Sequence, residues 1–258
     1  LKQCIRRNKL GFIFIFITAF AVLLPGVNAT LTNVDSLCNQ AEYLLFNHHL
    51  HPAYLDSAYR LLACARQLNP RHEKCLYLWS RVHTQQGENT PSKNERLRLF
   101  ERARAIAETL QMLNPHNPHG YMWWAVAQGR IGQTRGVLNS LFMVPDIKRA
   151  FNRVLELDPE YPAAYDGLGV VYYELPGWAG GDLKKAEYLL IQGLKYDPNY
   201  TVIRLDLARV YLKQGRREHA REQLKLLLKT ACPTCPADFY LEDRPAAEKL
   251  LQEIERRK

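Results

Sequence analysis

From residue 33 onward, apolar side chains return at every third or fourth position, as in "AYRLLACARQLNP", "ARAIAETLQMLNP", "IKRAFNRVLELDP" and "AEYLLIQGLKYDP". That period places them on one face of a helix. Each stretch closes on Asn-Pro or Asp-Pro, at Pro70, Pro115, Pro159 and Pro198. The residue before a proline is pushed out of the α region, so one helix ends there and the next can begin. The pattern predicts helices over 33–48, 53–68, 72–86, 94–113, 119–130, 144–157, 161–174, 182–196, 200–214 and 217–230. A last helix, "DRPAAEKLLQEIERRK", is expected to start at Asp243 as N-cap and to cover the end of the array. No segment alternates convincingly at period two.

The unit "TVIRLDLARVYLKQGRREHAREQLKLLLKTACP" resembles the tetratricopeptide repeat. Ala208, Tyr211, Gly215, Ala220 and Leu224 fall at that repeat's spacings. Small side chains let two antiparallel helices approach, and the glycine supplies the turn. The expected fold is therefore all-α: a tetratricopeptide-like right-handed helical solenoid of about five helix pairs over residues 30–258, with a C-terminal capping helix. The closing prolines recur at intervals of 45, 44 and 39 residues, longer than the family's 34-residue repeat, which predicts enlarged hairpin tips. One such tip is "LPGWAGGD", Leu175 to Asp182. There Pro176 stops a helix, the glycines make the turn, Asp182 caps the next helix, and Trp178 has no turn-building job.

Residues 1–29 differ from the rest. Lys2, Arg6, Arg7 and Lys9 precede the apolar run Leu10–Leu24, and Val27-Asn28-Ala29 follows. This is the pattern of a secretory signal peptide cleaved after Ala29. The expected location is therefore exported and periplasmic, with membrane contact only through this segment if it stays uncleaved. No cysteine sits where a lipid anchor would need one. Those four basic residues belong to the formal net charge of +9, and the +5 left beyond residue 29 is mixed along helices rather than gathered into a basic stripe with aromatics, which argues against nucleic acid.

Residues 120–230 resemble the T-component family associated with tripartite ATP-independent periplasmic transporters. The resemblance is carried by Trp123-Trp124 with Gly129-Arg130, by "RGVLNSLFMVP" from Arg135 to Pro145, and by the series from Leu168-Gly169-Val170 through "LPGW" to Asp182. It implies a non-enzymatic exported repeat protein beside a periplasmic solute-binding protein or other envelope protein, with a small apolar ligand in a pore or cleft. The alternative is an envelope scaffold that binds peptides in its concave groove. A homo-oligomer is compatible with either.

Counting from the repeat consensus gives the groove candidates: Trp124 and Gln128, then Asp166, Val170 and Tyr173, then Leu205, Arg209 and Lys213. Adjacent helical residues point about 100° apart. Of Trp123 and Trp124, one should therefore face the core and one the groove, with Trp124 as the groove candidate. Arg130 is either a cation at a helix end or a holder of an anionic group. The histidines at 48, 49, 51, 116 and 119 are expected in solvated loops. Export permits disulfides. Cys232 and Cys235 are expected to pair locally, and one pair is expected among Cys38, Cys64 and Cys75. No catalytic triad motif, zinc motif or phosphate loop is present, so no cofactor and no metal is expected.

Overall fold

The computed structural model describes residues 33–256; of Val137, Leu138 and Asn139 only the backbone is described. Residues 1–29, and with them the predicted signal peptide, lie outside it. Ten helices form five antiparallel pairs. The first two pairs are α1 (Val34–Phe46) with α2 (Tyr54–Leu68) and α3 (Glu73–Glu88) with α4 (Lys93–Leu113). Next come α5 (Pro118–Arg135) with α6 (Val137–Leu157) and α7 (Pro162–Glu174) with α8 (Leu183–Tyr196). The fifth pair is α9 (Thr201–Lys213) with α10 (Arg217–Leu228), and α11 (Arg244–Arg256) packs on α10. No strand occurs among the described residues. The architecture is a tetratricopeptide-like solenoid, as its apolar period predicts.

The junctions between pairs share one construction. Asn69, Asn114, Asp158 and Asp197 end their helices in extended backbone, with ψ of 96°, 93°, 93° and 94°. The following proline forces that geometry. Each side-chain Oδ1 then accepts the N–H two residues on, at 2.9–3.1 Å. These Asx turns redirect the chain into the next pair at the same angle each time. Small buried residues bring the helices together: Ala41, Ala58, Ala65, Ala103, Ala125, Ala164, Ala186, Ala208 and Ala220 are all at or near zero exposure. The core is a row of three apolar clusters, centred on Leu62 and Leu78, on Phe151 and Leu168, and on Leu190 and Leu207. A stacked array produces such a serial core.

Three predicted boundaries differ. The third hairpin tip is helical rather than loop: α5 runs to Arg135 and α6 starts at Val137, with Pro145 inside it. Proline inside a helix removes one hydrogen bond. Here α6 is held along α5, where the Gly132 Cα region meets Ser140 and Met143. In the turn at 175–182, Gly180 adopts φ 87°, the Gly181 N–H donates to the Pro176 carbonyl, and Asp182 caps α8 through the N–H groups of Lys184 and Lys185. The last helix does not begin at Asp243. A helical turn at Pro236–Asp238 and a π-helical Phe239–Asp243 run into α11 without a cap, so Asp243 is a mid-helix residue.

Candidate functional site: the concave channel

The first helices of the pairs turn one face toward a common channel. Lys74 and Tyr77 of α3 both contact Glu42 of α1: the ammonium lies 2.7 Å from Oε2, and the Tyr77 hydroxyl donates to Oε1 at 2.8 Å. The Tyr77 ring stacks on His119 at 4.3 Å, and His119 Nδ1 lies 2.9 Å from the Tyr161 hydroxyl. A ladder of rings thus crosses α3, α5 and the start of α7. Beside it, the Arg81 guanidinium lies over Phe46 at 4.0 Å and over Trp123 at 5.6 Å. Burial pushes the hydroxyls of Tyr77, Tyr161 and Tyr200 upward, and it pushes His119 down toward neutrality. This part of the channel wall is half-buried and aromatic, with the Arg81 guanidinium set among the rings.

The chain's own residues 234–243 lie in this channel as a strap. The Thr234 N–H donates to the Asn199 carbonyl, and its hydroxyl donates to Asp197 at 2.5 Å. Residues 236–238 then pack against α1 and the turn His48–Leu50, at the opposite end of the array. Asp238 sits 3.9 Å from Arg81, and Tyr240 stacks on His49 at 4.8 Å. Asp243 returns to α9, where it accepts from the Thr201 hydroxyl at 2.6 Å. Phe239 is 2% exposed.

Trp123, not Trp124, faces the channel. The Trp124 indole N–H donates to Glu108 of α4 at 2.9 Å, and its ring lines a separate open cleft of about 520 Å³ with Tyr121, Asp146 and Arg153. The adjacent-residue argument holds, but the side assigned to each ring is reversed. Gln128 also lies away from the channel, buried and accepting from Arg104. Arg130 is more than a helix-end cation. It pairs with Glu88 at 2.6 Å and borders a cleft of about 330 Å³ beside Glu242 of the strap.

Asp166 is half-buried at the channel floor, and its inaccessible Oδ1 has no hydrogen-bond partner. Burial raises its carboxyl well above the usual range, with Asp206 and Asp243 adding to the effect. Arg209 pairs with Asp206 at 2.6 Å. Leu205 is buried, and Val170 is half-buried. Lys213 lies 3.7 Å over the Tyr173 ring and donates to the Tyr173 carbonyl. Trp178 is 82% exposed on the turn before α8, away from these residues.

Two other expectations are corrected. His49 and His119 are ring-stacking members of the channel rather than solvated loop residues. Cys235 carries a buried free thiol, so it does not bond Cys232. Cys38, Cys64 and Cys75 are also free thiols, with Cys64 exposed and the other two buried. The Cys75 thiol donates to the Leu62 carbonyl at 3.6 Å and lies close enough to Cys38 to be pushed up by it, while Cys64 is exposed on α2.

Cys38 also lies 3.8 Å from His72 Nδ1, and His72 Nε2 lies 3.1 Å from Asp35. The arrangement has the residue types of a nucleophilic triad. Its geometry is that of a helix cap: His72 Nδ1 accepts the Cys75 N–H, and Cys38 is 0% exposed, out of reach of a substrate. Among the described residues, no group of three or more His, Cys, Asp or Glu could hold a metal ion.

Sequence reasoning missed Tyr77, Arg81, Tyr161, Tyr200 and the strap. Tyr77 and Arg81 occupy, in α3, the positions that Asp166 and Val170 occupy in α7. Extending the same count to the second pair would have found them. Nothing in the local pattern of 234–243 signals that it crosses the channel.

The fold and the channel define a tetratricopeptide-type solenoid, a repeat class of binding proteins, whose concave face is occupied by its own chain. Residues 178–231 match the tetratricopeptide repeat pattern. Residues 37–178 match the family described as regulator of microtubule dynamics protein 1-3, and the chain belongs to that family. No curated protein matches. Among solved structures, the thermophilic tetratricopeptide protein TTC0263 of Thermus thermophilus is similar over 80% of this chain and 98% of its own, at 22% identity and TM-score 0.61. MamA is similar over 72% and 94%, at 17% identity and TM-score 0.46. YrrB, described as having an unusual peptide-binding site, is similar over 86% and 94%, at 15% identity and TM-score 0.43.

Proposed function

We propose that the protein is a non-enzymatic scaffold whose concave channel holds a segment of a partner protein. One observation carries this reading. Four successive first helices, or the turns that begin them, turn five aromatic rings and one arginine into one channel: Tyr77, Arg81, His119, Trp123, Tyr161 and Tyr200. Aromatic and arginine side chains in desolvated settings are the anchors of binding surfaces. Their number exceeds what packing alone requires, since the apolar clusters between the helices already fill the core.

The scaffold acts on peptide-like segments, which favours the groove-binding alternative among the sequence expectations. Narrower versions rest on other support. The family's description favours a partner connected with microtubule dynamics. The T-component resemblance of residues 120–230, with the signal pattern of residues 1–29, favours an exported protein serving a periplasmic solute-binding protein. An apolar small ligand and a homo-oligomer rest on that same resemblance and on no contact in the channel.

The test is site-specific photo-crosslinking. A photoreactive amino acid placed at Trp123 is expected to capture one partner through a contiguous stretch of that partner's sequence. The same probe at Trp124 or Trp178 should capture little of it. Capture from Trp124 or Trp178 alone would overturn the channel as the binding surface.

A further inference from the structure

The strap fits one half of its seat well and the other half badly. At Asp238 a carboxylate meets Arg81, which is itself enclosed by Phe46 and Trp123. The two rings that follow are also accommodated: Phe239 is buried, and Tyr240 stacks on His49. Five residues after Asp238 the match fails. Asp243 enters a site already holding the buried Asp206 and the half-buried Asp166, whose Oδ1 has no hydrogen-bond partner. Glu242 faces Glu88 as well as Arg130. Arg209 is committed to Asp206, and Thr201 is the group that donates to Asp243. Buried carboxyls without cations are costly. The segment between the two halves is wound as a π-helix, a form found at strained or functional places.

We infer that the channel's outside ligand is a partner segment with an acidic residue, two aromatics and, five positions after the acid, a lysine or arginine. The strap is a weaker internal occupant of the same seat. This rests on the scaffold reading above and adds the chemistry of the partner. A base at the fifth position would pair with Asp166 and Asp206, where the strap offers a third carboxyl. The acid and the rings would keep the contacts that Asp238, Phe239 and Tyr240 now make.

The test uses the full chain and two labelled peptides spanning Pro233–Arg244, both carrying Cys235→Ser. One has the native sequence otherwise, and the other also carries Asp243→Lys. Binding is read by fluorescence anisotropy, and strap release by alkylation of Cys235 mapped with mass spectrometry. The Asp243→Lys peptide is expected to bind the wild-type chain at least tenfold more tightly than the native one and to speed Cys235 alkylation at least tenfold. Arg81→Ala and Asp166→Asn in the chain should each weaken it at least tenfold.

A chain variant with Asp238→Arg and Tyr240→Ala should release the strap unaided and bind both peptides. If that variant does not fold, His49→Ala, which removes only the ring under Tyr240, takes its place. Equal binding of the two peptides, or binding that ignores Asp166→Asn, would overturn the fifth-position base. Cys235 protected in every variant would make the strap a permanent wall and overturn the inference. Strap exchange between two copies, seen as a dimer by mass photometry, would make a second copy the occupant and overturn the partner. In each case, continued crosslinking from Trp123 would leave the scaffold reading standing. Loss of both signals would remove both.

Discussion

Arg81 Nη2 and Asp238 Oδ2 lie 3.9 Å apart, joining the second helix pair to the strap across the channel. The guanidinium is only 14% exposed and also lies over Phe46, so it is fixed by rings as well as by charge. Arginine and lysine are not equivalent at such a site, because only the planar guanidinium stacks.

Replacing Arg81 by alanine should therefore lower stability by about 1–3 kcal/mol, the usual range when a charge-assisted buried contact is removed. Urea denaturation reads the loss, and Arg81→Lys should recover only part of it. Cys235, a strap residue only 6% exposed, should become faster to alkylate in both variants.

Burial pushes the Asp243 carboxyl up to about 7, with Asp238, Asp206 and Glu242 adding to the rise and the Thr201 hydroxyl opposing it. An unfolded aspartate titrates near 4. Between about pH 4 and 7 the folded chain holds a proton that the unfolded chain has released, so stability falls as pH rises through that window. Above about pH 7 this dependence levels off. Asp243→Asn, which keeps an acceptor for Thr201, should be more stable than the native chain at pH 8. The gap should shrink toward pH 5, as read from urea midpoints at the two pH values.

The turn before α8 tests backbone geometry without touching the channel. A Cβ on Gly181 would collide with the Leu175 carbonyl oxygen, a backbone atom that cannot step aside. Gly181→Ala should cost about 1–3 kcal/mol, as overpacking does. At Gly177 an added Cβ meets nothing within 4 Å, so Gly177→Ala serves as the control. Trp178→Ala, on the same turn, should stay within about 0.5 kcal/mol of the native chain because the ring is exposed.

The thiols of Cys38 on α1 and Cys75 on α3 lie near one another inside the first apolar cluster. Both are 0% exposed, whereas Cys64 is exposed. Exchange needs direct attack of a thiolate on the glutathione disulfide. Oxidised glutathione should therefore form a mixed disulfide at Cys64, releasing one glutathione thiol, and leave Cys38 and Cys75 reduced while the chain is folded. Peptide mapping by mass spectrometry reads the outcome, and glutathione on Cys38 or Cys75 of the folded chain would contradict the packing.

The helices were legible because their signals are local. Asn69, Asn114, Asp158 and Asp197 announce each junction through the proline that follows, and the alanines announce close helix pairs. The helix expected to start at 144 starts at Val137 instead, because lateral packing of α6 on α5 carries Pro145 inside a helix. The channel was half legible. Repeat counting found Asp166, Tyr173 and Arg209, but it exchanged Trp123 and Trp124. A shift of one position turns a side chain by about 100°, more than a pattern with uneven repeat lengths can resolve. The strap was illegible because its contacts join residues far apart in the chain, such as His49 with Tyr240 and Arg81 with Asp238. No periodicity records them.

The stacking of Tyr240 on His49 has a consequence for how the chain comes apart. An open repeat array behaves like a row of dominoes, in which each unit feels only its neighbours and the two ends fray independently. Here the strap that follows the fifth pair grips the first pair, so the two ends of the row are coupled. Hydrogen exchange should then show α1 and α11 opening together rather than separately. Their protection should approach that of the middle helices until the clasp between His49 and Tyr240 is undone.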